Sequence, residues 1–194
     1  MKIWFTSDYH LNHENIIKYC NRPFSTVEEM NETIISRHNE RVKEDDWIFD
    51  LGDFNFKNSK GGKIGEGLPI KPQVYLNQLK GHRILIKGNH SVNEGIKTPI
   101  EKLYLKYGGK RICLVHDPKY ADSYCEWNIH GHVHTLYQIK RLNKNSLLIN
   151  LSVEVWNYYP VTFEEINKEV SKFLKREKCQ LKENVILENG LLNI

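Results

Sequence analysis

Asp8-Tyr9-His10, Gly52-Asp53, Gly88-Asn89-His90 and Gly131-His132-Val133-His134 are four short clusters of chemistry-bearing residues, and His116 stands alone between the last two. Asp, Asn and His are the side chains that hold two neighbouring divalent metal ions in a hydrolytic site. Five of the nine histidines belong to this set. Side chains at i and i+2 of an extended segment project to one side, so Asp8 with His10, and His132 with His134, can reach one cleft. The glycines before Asp53, Asn89 and His132 let the backbone turn sharply there. Asn89 and His90 are adjacent and should diverge, one offering an amide oxygen to metal while the other faces substrate.

The clusters are far apart along the chain, so a sheet must gather them. Short runs rich in Ile, Val, Leu and aromatics at 3–6, 47–51, 84–87, 112–115, 127–129 and 147–151 have the character of buried strands. Most end directly at a cluster, as in a site built on strand-end loops. Ser25-Thr26-Val27-Glu28 has capping-box form, and Val27, Met30, Ile34 and Val42 follow near helical spacing. Thr162-Phe163-Glu164-Glu165 opens a second helix to about Lys178, and the tail around Asn189-Gly190 reads as a hairpin. The glycine-rich stretch 60–67 lacks a Gly-Lys-Ser/Thr phosphate loop and reads as a mobile loop. Helices interleaved with short buried strands predict an α/β layered fold. The expected organisation is a single domain over 1–194, with a motif-bearing core at about 3–157 and a C-terminal helix and hairpin over 162–194.

The 194 residues are 40% hydrophobic and 27% charged, with a net charge of +4. Lys and Arg are spread out, whereas a dedicated nucleic-acid protein would concentrate them. An anionic small molecule fits this balance. The four cysteines form no Cys-x-x-Cys pair, and Cys113 reads as a small core residue. Asp8 interrupts the apolar N-terminus too early for a signal peptide, and no run approaches a membrane span. The expectation is a cytoplasmic protein without membrane attachment.

Taken together, Asp8-x-His10, Gly52-Asp53, Gly88-Asn89-His90, His116 and Gly131-His132-x-His134 resemble the motifs of the calcineurin-like metallophosphoesterase superfamily. The resemblance covers residues from about 3 to 157. It implies a fold of two packed mixed β-sheets flanked by helices, an αββα sandwich. It implies that Asp8, His10 and His134 bind one metal and Asn89, His116 and His132 the other, with Asp53 bridging them. His90 would stand beside the scissile phosphate as proton donor or charge stabiliser. The chain departs from many relatives at Phe56, where an Asp is common, and at Ser91, often acidic; both changes touch the support of Asp53 and His90.

Physical chemistry supplies a matching reaction. Two divalent ions outweigh the charge of Asp8 and Asp53, so the pocket attracts phosphate. A water clamped between ions ~3.5–4 Å apart loses its proton near neutrality and attacks phosphorus in line. Asp53 and His90 are thus the expected catalytic residues. O/N ligands without Cys suit Mn²⁺ foremost, and also Fe, Zn²⁺, Ni²⁺ or Co²⁺. The expected substrate is a small nucleotide-like or aryl phosphate ester. A nuclease is the alternative, and a catalytically silent metal-binding scaffold a third reading.

Outside the motifs, His13 and Arg22 join Asn89 as candidates for substrate contact. A first-turn position for His13 and a structural salt bridge for Arg22 compete with that. His38 and His130 read as packed histidines and His82 as a turn residue. Trp156, Tyr158 and Tyr159 read as core rather than as a wall of the cleft.

Overall fold

A computed structural model describes residues 1–56, 69–90 and 96–191, with side chains through Gln180. The loop at 60–67 and Ser91 lie outside the described residues. The chain comprises two compact units, 1–162 and 163–194.

The first unit is built on two mixed sheets. One holds β1 (Ile3–Thr6), β2 (Trp47–Asp50), β3 (His82–Leu85) and β9 (Val161–Thr162), in the order β3-β2-β1-β9. β1, β2 and β3 run parallel, and β9 closes the edge antiparallel to β1. The other sheet holds β4 (Lys102–Tyr107), β5 (Lys110–Val115), β6 (Trp127–His130), β7 (Ile139–Asn143) and β8 (Ser146–Asn150), in the order β4-β5-β6-β8-β7. Here β5, β6 and β8 are parallel, and β4 and β7 are antiparallel edges. The parallel strands of both sheets coincide with the apolar runs visible in the sequence; every residue of β6 and β8 is buried, whereas β3 is at most half-buried. β3 starts two residues earlier than its run, so His82 opens the strand and lies 5.2 Å from the Trp47 ring instead of in a turn.

Helix α1 (Glu14–Tyr19) and helix α2 (Val27–Arg41) follow β1, and α3 (Pro72–Leu76) precedes β3. α2 buries Val27, Met30 and Ile34 in a core with Tyr9, Leu11 and Phe54, which anchors the loop after β1. Its cap sits one residue later than the sequence reading. Thr26 Oγ1 accepts from Glu29 N at 3.1 Å, and the Glu29 carboxylate accepts from Ser25 N at 2.7 Å. His38 is fully buried on this helix. Its Nε2 donates to Lys80 O and its Nδ1 accepts from Tyr9 Oη, each at 2.8 Å.

In the second unit, α4 runs from Phe163 to Leu191, replacing the expected C-terminal hairpin. Asn189-Gly190 falls in its last turn, because an isolated two-stranded hairpin has little stability of its own while a started helix propagates one bond per residue. Among the described residues no helix is long and apolar enough to cross a membrane.

Candidate metal centre

Six parallel strands, three from each sheet, deliver the site residues from their C-terminal ends. Asp8 and His10 follow β1, Asp53 follows β2, Asn89 and His90 follow β3, His116 follows β5, and His132 and His134 follow β6. The end of β8 adds Ser152, which bridges in parallel to Ser7 across the two sheets.

Two ligand groups result. Donor atoms of Asp8, His10 and His134 lie within 4.8 Å of one another, and so do those of Asp53, His116 and His132. Between them, Asp53 Oδ2 is 3.6 Å from His10 Nε2 and 3.3 Å from His116 Nε2. Asn89 Oδ1 lies 2.8 Å from His116 Nε2 and 3.0 Å from His132 Nδ1, completing the second group. His90 stands at the rim, 43% exposed, with Nε2 4.0 Å from Asp53 Oδ2. Every proposed ligand therefore reaches one place.

The convergence does not come from extended i, i+2 pairs. Asp8, His10, Asp53, His132 and His134 all have φ between 46° and 72°. That left-handed conformation is unfavourable for side-chain-bearing residues and persists where the surroundings enforce it, typically at functional sites. Gly52, at φ 100°, makes the sharp turn that the sequence suggested, whereas Gly131 serves a different end. A Cβ at Gly131 would collide with Ser7 Oγ and the Asp8 carboxylate, so its bare backbone is what lets the two sheets approach.

The ligands are held from behind. Asp8 accepts from Ser152 Oγ at 2.9 Å and from His132 N, and Asp53 accepts from His90 N at 3.0 Å. His116 Nδ1 donates to Leu51 O at 2.8 Å, which turns Nε2 inward. Burial would raise the Asp8 carboxyl, but the neighbouring imidazoles of His10, His116 and His134 hold it well below the usual range. Asp53 is likewise held down against burial by His116. Burial disfavours a charged His116, yet Asp53 and Asp8 push it up to about 9.

An archaeal protein, the uncharacterized MJ1445 of Methanocaldococcus jannaschii, is 40% identical over 175 residues, spanning 88% of this chain and 92% of its own. The two chains are members of one family. The solved structure of AQ665 from Aquifex aeolicus, a protein of unknown function, covers 86% of this chain and 97% of its own, with a TM-score of 0.59 and 26% identity. A more distant likeness is YfcE, a phosphoesterase from E. coli, with 17% identity, 84% and 82% coverage and a TM-score of 0.41. No protein-family model matches the chain. Paired mixed sheets with the motif residues meeting at one end of them are the arrangement that the resemblance to calcineurin-like metallophosphoesterases implied.

The donor set fits divalent ions. His10 Nε2 is buried with no hydrogen-bond partner, facing both Asp8 and Asp53, which is the arrangement a cation would satisfy. Carboxylates and imidazoles, hard and intermediate ligands, make up both groups, and Cys20 joins His134 and Glu154 in a third cluster beside them.

The substrate candidates separate. Arg22 does not face the pocket: its Nε and Nη2 donate to Glu154 Oε1 at 2.9 and 2.7 Å, and Nη1 and Nη2 donate to Tyr9 O and Asp8 O at 2.8 Å. A guanidinium so committed braces the loop after β1 and has no free edge for phosphate. His13 precedes α1, with its ring 4.5 Å from Phe56 and 5.7 Å from His10. Burial and the neighbouring His10 hold its pKa down to about 3, so it stays neutral. Phe56 thus supplies an aromatic shelf for His13.

Glu154 is the residue that sequence reading missed. Its Oε1 accepts from His134 Nδ1 at 2.9 Å and from Arg22, orienting a ligand histidine from a strand-distant helical turn. A lone Glu outside the motifs carries no sequence signal for that role. His130 is packed as expected, with Nδ1 donating to Gly131 O and Nε2 meeting Tyr137 Oη. Tyr158 lies in the core, Trp156 Nε1 donates to Asn150 O, and Tyr159 bonds Glu40, so none of the three forms a wall of the site.

Proposed function

We propose that this protein is a binuclear-metal-dependent hydrolase of phosphate mono- or diesters. The observation that carries the reading is the convergence of two ligand groups on the buried Asp53 carboxylate, with His10 Nε2 unpartnered between two acids. Asp8, His10 and His134 would hold one ion, Asn89, His116 and His132 the other, and Asp53 both. The ions, Mn²⁺ foremost, would supply Lewis acidity toward phosphate and a water activated near neutral pH. The chain's own groups divide the remaining work. Asp53, buried between the two groups, would fix the two halves of the site relative to each other. His90, exposed at the rim beside Asp53, is placed to hold the proton that a departing alkoxide needs. Glu154 and Ser152 keep His134 and Asp8 from turning away, as outer hydrogen bonds to ligands do. The four free cysteines agree with a reducing, cytoplasmic setting.

Assay of the Mn²⁺-loaded protein on p-nitrophenyl phosphate and bis-p-nitrophenyl phosphate tests this. Asp53→Ala should lose bound metal, and its turnover should fall by at least about 10³-fold, as when a group acting mainly on the transition state is removed. Wild-type metal binding with no turnover of either ester would turn the reading toward a silent scaffold. An active Asp53→Ala protein would overturn it.

A further inference from the structure

A cavity of about 430 Å³ opens beside the second ligand group, with Asn89 and His116 in its wall. Lys87, Lys102, Lys119 and Tyr120 supply much of the remainder, from the end of β3, the start of β4 and the 3-10 turn Pro118–Tyr120. Its size is in the ordinary range for a small organic ligand, and far exceeds what a phosphate alone needs.

Its charge is selective. Lys87 is paired with Glu101 and Lys119 with Asp117, each at 2.8 Å. Lys102 has no carboxylate partner among the described residues; its ammonium lies 6.0 Å from the Tyr104 ring centroid. Lys119 forms a second cation–ring pair, 4.8 Å from Tyr120. The Tyr120 and Tyr104 rings are 57% and 56% exposed, and Tyr124 beyond them is 82% exposed. Lys102, Tyr104 and Lys106 alternate along one face of the edge strand β4, leading away from the ligand group. Cations interleaved with solvent-facing rings recognise anions joined to flat aromatic groups. The evenly spread charge of the sequence concealed this grouping.

We propose that the cavity seats a nucleoside, so that the substrate is a nucleotide phosphoester with its base against Tyr120 and a neighbouring phosphate on Lys102. This rests on the phosphoester-hydrolase reading and names its substrate class. The scissile phosphate then lies by Asn89 and His116, and any further nucleotides follow β4 across Tyr104.

Calorimetric titration of the Mn²⁺-loaded full chain with inorganic phosphate and with thymidine 3′,5′-bisphosphate, any turnover being followed separately as phosphate release, tests the site. The nucleotide should bind at least roughly tenfold tighter than phosphate, the effect expected of one stacked base. Lys102→Glu and Tyr120→Ala, both at accessible positions, should each narrow that ratio. Equal affinities in the wild type, or a ratio unmoved by both variants, would overturn the proposal. Turnover of bis-p-nitrophenyl phosphate, a thymidine dinucleotide and a longer single strand completes the test. Nucleotide preference without any turnover keeps the subsite and removes the hydrolase reading; aryl turnover without nucleotide preference does the reverse. A longer strand cleaved more efficiently than the dinucleotide assigns the site to single-stranded nucleic acid, and equal efficiency to small nucleotide esters.

Discussion

Residues outside the ligand groups carry much of what holds the site in place. His38 is one, tied between Tyr9 Oη and Lys80 O and therefore acting on the loop that carries Asp8 and His10. Burial and the Arg83 charge hold its pKa down to about 3, so it remains neutral in the fold at moderate acidity. An unfolded histidine takes up a proton below about 6.5. The unfolded state then binds more protons, and the stability His38 contributes is complete above pH 6.5 and lost as pH falls from there toward 3. Urea unfolding at pH 7.5 and 5 should show a stability loss about 2 kcal/mol smaller in His38→Gln than in the wild type. The same loss in both proteins would mean that His38 titrates normally. Arg22 shows the converse for function: a cation that suited phosphate on residue type alone is consumed by Glu154 and two backbone carbonyls.

Elements decide how the ligands meet. The loops after β1, β2 and β6 place their ligands through left-handed backbone, and Gly131 lets the loop after β6 press on Asp8. Gly131→Ala must push Ser7 or the Asp8 carboxylate aside. Its expected cost is about 1–3 kcal/mol of stability, as for other overpacked sites, and metal affinity should drop roughly 10- to 100-fold. Thermal unfolding and metal titration check both, and an unchanged affinity would show that the sheets can separate without moving Asp8. At the same scale, β4 and β7 escaped sequence reading because Lys and Arg interrupt their apolar residues and burial alternates along β7. Edge strands do this because one face is solvated, so a search for continuous apolar runs passes over them. The C-terminal segment went the other way: Asn-Gly is a strong turn signal only between strands, and here it ends a helix.

At the scale of the whole molecule, ion binding and folding should be coupled. Buried acids and imidazoles from both sheets face one another, and a cation relieves their mutual cost only in the folded state. Mn²⁺ at about a hundredfold its Kd should add about 2.7 kcal/mol to stability. For a chain of this length that corresponds to a rise of about 5–10 °C in Tm. Addition of EDTA should reverse the rise, and an Asp53→Ala protein should not show it. A wild-type Tm indifferent to both would contradict a metal centre shared by the two sheets.

The sequence by itself determined the fold class and named the Asp, Asn and His residues that the fold brings together. Asp, Asn and His at the ends of apolar runs are local signals, readable because strand burial and metal chemistry each restrict residue type. Only the tertiary structure decided which neighbours those ligands lean on. Glu154 against His134, Ser152 against Asp8, Phe56 under His13 and the cavity beside Lys102 and Tyr120 all join segments distant in the chain. Such pairings leave no periodicity or spacing behind, because they depend on where two sheets close and not on what either strand contains.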